Sequence, residues 1–208
     1  MMSNYCKICF KKIADYSLYN LVNKKNVLCE ECFDKLDAEF ITFRVGSIRC
    51  TSIYEYTEFI KELIYKYKGC CDYELKDVFL YRYINYLRII YRGYYVVPVP
   101  SYYVDDEKRG FNHVVEIFNS LKLKMLPIIR KIEAHKQSSM TYIKRFNVSK
   151  LFVIDNMDLK DKKILLVDDI FTTGSTIMSC IDLLKLKGAK KIEVLVIAKT
   201  KKKEKQEY

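Results

Sequence analysis

The sequence predicts an α/β fold, a parallel β-sheet flanked by helices, with a small N-terminal module built on four cysteines. Three observations predict it. The aliphatic runs "VVPVP", "KILLV" and "KIEVLVIA" alternate with segments of helical periodicity, as in a parallel sheet with crossover helices. Two Cys-x2-Cys pairs stand near the N-terminus, with 19 residues between them. One aliphatic run passes directly into "DDIFTTGST", two carboxylates and a hydroxyl-rich turn ahead of a helix. The 208 residues accommodate one compact domain with a small appendage.

Between the cysteine pairs, "KKIADYSLYNLVNKKNVL" reads as short strands with Asn and Lys turns. A boundary is expected near 45–50, at "RVGSIRC", dividing a module of residues 1–45 from a main domain of 46–208. Residues 54–68 place Phe59, Ile60, Leu63, Ile64 and Tyr67 on one stripe and predict a helix. A second amphipathic helix is predicted over 74–91, ended by Gly93. "YYVVPVP" predicts a buried strand that stops at its prolines. "DDEKRG" reads as a polar loop, and "FNHVVEIFNSLK" as a helix capped by Asn112. Short strands are predicted at 126–129 and 150–154, around a charged segment with helix character near 139–146. A strand at 163–167, a helix over 175–187 stopped by Gly188, and a strand at 191–198 complete the sheet. The charged stretch from about 199 reads as a tail.

Half of the residues are hydrophobic, enough for a substantial core, and aromatic content comes from 18 Tyr and 11 Phe with no Trp. The formal net charge is +11. Residues 1–45 hold 7 Lys/Arg against 6 Asp/Glu, so the basic excess lies in the C-terminal part. Such a surface suits polyanions, or is simply a solvated Lys-rich exterior. No apolar run is long enough to span a membrane, and "MMSNYCKICF" lacks a signal-peptide core, so a cytoplasmic location is expected. Eight cysteines in that compartment point to metal ligands or free thiols rather than disulfides.

Asp168 and Asp169 are expected at the carboxyl end of a parallel strand, where ligands bind in open α/β sheets. The helix N-terminus after "TTGST" offers backbone N–H groups and a positive dipole end to an anion. Thr172, Thr173, Ser175 and Thr176 add hydroxyls, and Gly174 allows close approach and positive φ. Carboxylates beside a phosphate repel it unless they accept from sugar hydroxyls or sit near a divalent cation. A ribose 5-phosphate meets both demands. A phospho-receiver site also uses an Asp pair after a strand, but near the domain's start and without such a turn.

Cys6, Cys9, Cys29 and Cys32 match the spacing of two metal knuckles converging on a closed tetrahedral zinc site; reduced thiols are the plainer alternative. Cys180 falls mid-helix, among core positions, and Cys70-Cys71 lies in a turn. Ser101 and the backbone of 99–101, with Lys108 and Arg109, are placed to meet a pyrophosphate. His113 reads as a helix-start residue or a polar contact.

The acidic pair and its turn resemble the phosphoribosyl-pyrophosphate (PRPP) motif of type I phosphoribosyltransferases. The order of blocks resembles the ComF (ComFC) family of competence proteins: the four-Cys knuckle, "YKYKG", "VVPVP", "KRGFNH", "KQSSMTYIKRFNV" and "LLVDDIFTTGST". That resemblance implies a type I phosphoribosyltransferase-like domain behind a zinc ribbon, acting on incoming single-stranded DNA in natural transformation. It implies PRPP or ribose phosphate as ligand, Mg²⁺ with PRPP, structural zinc, and as partners the DNA-uptake helicase and recombination proteins of the competence system. Carried over by position, Asp168, Asp169 and Arg109 would be catalytic. Thr172 to Thr176 would bind phosphate, joined, on the reading of the residues alone, by Ser101 and Lys108. Gln137, Lys144, Arg145 and Asn147 would touch phosphate or DNA. At Lys144 the family has an arginine, so a point charge replaces a planar fork. The resemblance leaves three activities open: DNA handling with a PRPP site, a working Mg²⁺-dependent phosphoribosyltransferase, and a zinc-ribbon adaptor without catalysis.

Overall fold

The structure is a computed structural model that describes residues 5–13, 27–131 and 152–201. Its centre is a six-stranded sheet in the order β1-β2-β8-β7-β3-β4. The strands are β1 (Ile41–Val45), β2 (Ile48–Glu55), β3 (Tyr94–Pro98), β4 (Lys124–Met125), β7 (Lys163–Phe171) and β8 (Lys191–Lys199). All neighbours pair in parallel except β1, which runs antiparallel to β2. The strands β5 (Ile129–Lys131) and β6 (Phe152–Ile154) form a separate antiparallel pair. The predicted α/β class with a parallel sheet is the one observed.

Alternation along the central strands divides the core in two. Leu165, Val167, Leu195 and Ile197 face one layer; Ile164, Leu166, Val194 and Val196 face the other. The first layer receives helices α2 (Glu58–Lys68), α3 (Ile84–Ile90) and α5 (His113–Asn119), through side chains such as Leu63, Leu87 and Phe118. The second receives α6 (Ser175–Leu186), through Ile177, Ile181 and Leu184. The cysteine segment, with α1 (Glu30–Asp34), packs on the first layer, where Cys6, Cys32 and Leu36 join the same buried cluster.

Several predicted elements change. The helix expected over 54–68 begins at 58, because β2 takes residues up to Glu55; its "TSIY" is buried and paired with β8. Thr57 caps the helix, its hydroxyl accepting from the Ile60 N–H at 3.4 Å. The β1–β2 hairpin, not anticipated, spans position 45. The helix expected over 74–91 breaks into a 3₁₀ turn, Tyr73–Asp77, and the short α3. Val78, Phe79 and Leu80 are all buried; three consecutive side chains cannot share one face of a straight helix. The expected loop "DDEKRG" is instead a helix, α4 (Tyr103–Arg109), closed by Gly110 in the left-handed region at φ 80°. Of the strand expected at 126–129, only Ile129 is in a strand, as the first residue of β5; residues 126–128 link β4 to β5.

Candidate functional site

Strand β7 runs past its predicted end, through Asp168 and Asp169 to Phe171, with Asp168 still opposite Val196. Adjacent strand residues point to opposite faces. Asp169 turns toward α2 and α5: its Oδ2 lies 2.9 Å from Lys68 Nζ and 3.2 Å from His113 Nε2. Its Oδ1 accepts from the Ile170 N–H at 2.8 Å. Asp168 is only partly buried and lies on the α6 side. Burial, then the Asp168 charge, pushes the Cys180 thiol of that helix up to about 12.

The two carboxyls are driven apart electrostatically. Burial, and then the neighbouring Asp169 charge, raises Asp168 well above the ordinary carboxylate range. Burial alone would raise Asp169 too, but the His113 hydrogen bond and the Lys68 charge outweigh it and hold Asp169 below that range. One member is therefore firmly ionised, and the other releases a proton reluctantly.

The turn after β7 is shaped by Gly174, at φ 78°. A Cβ there would stand 2.7 Å from the Phe171 ring, so glycine serves both the conformation and the close packing. Helix α6 follows, and the N–H groups of its first turn have no intrahelical acceptor. The Thr173 and Ser175 hydroxyls lie 3.3 Å apart.

These elements border a cleft of about 270 Å³. Asp168, Asp169, Thr176, Ser101, Arg109 and His113 line it, as do Lys68, Lys131 and Tyr102. Thr172, Thr173 and Ser175 are exposed on the turn beside Thr176. Lys108 is exposed and is not among the residues lining the cleft. Gln137, Lys144, Arg145 and Asn147 lie outside the described residues. Arg109 is nearly buried, with 7% of its side chain exposed, and holds three groups. It donates to Asp106 Oδ1 at 2.9 Å and to the Lys68 carbonyl at 3.1 Å, and it lies 3.1 Å from His113 Nδ1. Asn112 caps α5 by accepting from the Val115 N–H, and its amide donates to Ser101 and Asp106. The RGFN block thus acts as a brace between α4 and α5. Nothing in the sequence pattern points Lys68 or His113 at Asp169; the one available signal is that "YKYKG" and "KRGFNH" are blocks of the same family pattern.

The four N-terminal cysteines converge, their Sγ atoms all within 4.8 Å of one another. A tetrahedral site with Zn–S bonds of about 2.3 Å requires sulfurs about 3.8 Å apart, and Cys9 and Cys29 stand at 3.6 Å. The first knuckle is a tight hairpin in which the Cys6 N–H donates to Lys11 and the Phe10 N–H returns to Cys6, both at 2.9 Å. Cys29 opens α1, which carries Cys32. Cys6, Cys29 and Cys32 are buried, and Cys9 is exposed. The arrangement suits a four-thiolate structural zinc site. Lys7 ties it to the main domain through Glu74 and Asp77, each at 2.8 Å.

Fold and cleft together define a phosphoribosyltransferase-type α/β domain joined to a four-cysteine module. The phosphoribosyl transferase domain family model matches residues 107–208. The chain is 30% identical over 195 residues to competence protein ComFC of Streptococcus pneumoniae strain R6, covering 93% of this chain and 86% of that protein. It is 28% identical over 129 residues to competence protein ComFC of Bacillus subtilis strain 168, covering 61% of this chain and 53% of that one. Among solved structures, a purine phosphoribosyltransferase from Pyrococcus horikoshii is 19% identical, with a TM-score of 0.38, over 60% of this chain and 73% of that one. The chain belongs to the ComFC family of competence proteins. Among the described residues, no helix is long and apolar enough to cross a membrane.

Proposed function

We propose that the chain binds PRPP or a ribose 5-phosphate in the β7 cleft and handles incoming single-stranded DNA in natural transformation. The observation that carries the first half is the junction of β7 and α6. An ionised carboxylate, a partly exposed second one and a glycine-shaped helix N-terminus adjoin a single cleft. The phosphate would take the N–H groups and hydroxyls of residues 172–176. The acidic pair would accept from the ribose hydroxyls. Mg²⁺ arriving with PRPP would offset the pyrophosphate charge, and Lys68 and Lys131, which also line the cleft, would add positive charge. Zinc held by Cys6, Cys9, Cys29 and Cys32 would scaffold residues 1–45 as a module on the domain of 46–208.

The DNA half is supported by the net charge of +11 and by aromatic groups at the mouth of the cleft. Tyr103 is 51% exposed beside Tyr102, and the Lys131 ammonium stands 5.5 Å over the Tyr102 ring. Such a ledge offers base stacking with phosphate neutralisation. The uptake helicase and recombination proteins of the competence system are the partners this reading assigns, in the cytoplasm. A second reading, a working Mg²⁺-dependent phosphoribosyltransferase, is favoured by the basic wall of the cleft, which suits a pyrophosphate leaving group. Positioning and electrostatics would then supply the catalysis.

Calorimetry of PRPP with Mg²⁺ on the wild type and on Asp168→Asn/Asp169→Asn tests the site, with binding expected only in the wild type. Titration of single-stranded oligonucleotide at two salt concentrations tests the DNA half; affinity should fall steeply with salt. Pyrophosphate release that requires a defined acceptor would favour the transferase.

A further inference from the structure

Four polar contacts close a ring behind the cleft. Lys68 Nζ and His113 Nε2 meet the same Asp169 oxygen, at 2.9 and 3.2 Å. His113 Nδ1 lies 3.1 Å from Arg109 NH1, and Arg109 Nε donates to the Lys68 carbonyl at 3.1 Å. The ring joins the last residue of α2, the end of α4, the first residue of α5 and β7. His113 is 4% exposed.

Donor chemistry gives the ring a direction. A guanidinium only donates, so His113 Nδ1 accepts from Arg109. The imidazole proton then sits on Nε2, facing the Asp169 carboxylate. A doubly protonated ring would set two donors against each other at Arg109. A ring protonated only on Nδ1 would do the same, and would also turn a lone pair toward the carboxylate. One of the three forms satisfies both contacts. Among the described residues, the other groups facing His113 are Asp106, whose Oδ1 lies 3.9 Å from Nδ1, and Tyr67, whose hydroxyl donates to the His113 carbonyl at 2.9 Å.

We infer that His113 is a positioning residue: a neutral, Nε2-protonated imidazole that transmits the orientation set by Arg109 to the Asp169 carboxylate. The consequence for binding rests on the ribose-phosphate reading of the cleft. Asp169 Oδ1 is taken by the Ile170 N–H and Oδ2 by two donors, so a ribose hydroxyl must share Oδ2 or displace a partner. Lys68 has 41% of its side chain exposed against 5% for His113. Lys68 is therefore the partner that yields, and His113 keeps the carboxylate aimed.

The test compares His113→Gln with His113→Ala. A glutamine amide offers one acceptor and one donor, as the neutral ring does. Calorimetry with PRPP and Mg²⁺ should show His113→Ala losing about tenfold or more in affinity, the scale of one lost hydrogen bond to a charged group. His113→Gln should stay within about threefold of wild type. A merely structural role would instead move both variants in step with their melting temperatures. Independently, ¹⁵N spectra of the imidazole should show the Nε2-protonated tautomer; the chain has only two histidines, and His113→Gln assigns the signal. An Nδ1-protonated or doubly protonated ring, or wild-type affinity in His113→Ala, overturns the inference. If the wild type itself does not bind PRPP, the ribose-phosphate reading fails, and the tautomer spectrum alone decides the state of His113.

Discussion

The Lys68 ammonium lies 2.9 Å from Asp169 Oδ2, joining the last residue of α2 to the strand that carries the acidic pair. Asp168, one residue earlier, forms no ion pair among the described residues and bears the cost of both burial and its neighbour's charge. Two adjacent, chemically identical side chains therefore act on folding with opposite signs.

Substitution should expose that difference. Asp169→Asn removes the acceptor of a buried, doubly hydrogen-bonded contact. With Lys68 partly exposed, the expected loss is about 1–2 kcal/mol, or a few degrees in Tm. Asp168→Asn relieves repulsion and should raise Tm in the absence of ligand. Thermal melts of the two variants check this, and a drop in both would contradict it.

The pair also sets a pH dependence. Asp169 is depressed in the folded state, so its stabilisation is complete above the unfolded value of about 3.9 and is lost as pH falls through the folded value. Asp168 is raised, so its contribution is complete below about 3.9 and is lost as pH rises through its folded value. The advantage of Asp168→Asn over wild type should therefore be near zero at about pH 3.9 or below and largest at neutral pH. Urea titrations at several pH values measure it.

Zinc removal should reach beyond the cysteine segment. Cys6, Cys32 and Leu36 share a buried cluster with Leu165 and Val167 of the central sheet. Cys32→Ser, or chelation, should lower the Tm of the whole chain, by about 3 kcal/mol or more in stability. An unchanged main transition would show that the segment and the sheet unfold independently.

Gly174→Ala should damage the turn. Its φ of 78° is unfavourable for an L-residue, and the new methyl would meet the Phe171 ring. The expected cost is about 1–2 kcal/mol in stability. Affinity for PRPP should fall with it, whereas Gly93→Ala, with no atom within 4 Å of the added Cβ, carries only the φ penalty.

Much of this fold is local in origin and so was legible in the sequence. The runs "KILLV" and "KIEVLVIA" became β7 and β8, Asn112 caps α5, and Gly188, at φ 79°, follows the C-cap of α6. The elements that changed were those in which tertiary pairing outweighed helical periodicity. Residues 54 and 55 open the segment expected to be helical, yet pairing with Ala198 and Lys199 draws them into β2. In "DDEKRG", a cluster of charges that favours a loop is instead held helical, with Asp106 bridging Ser101, Arg109 and Asn112.

The sequence by itself determined the alternating α/β plan, the four-cysteine spacing, and the carboxylate pair ahead of a glycine turn. Each depends on residue types at short, fixed separations. Only the tertiary structure decided which carboxylate is ionised, because Lys68 and His113 reach Asp169 from 101 and 56 residues away along the chain. Only it decided that Arg109 faces inward, and that the cysteine segment shares the core of the sheet. Charge and burial are set by neighbours in space, and chain separation carries no record of them.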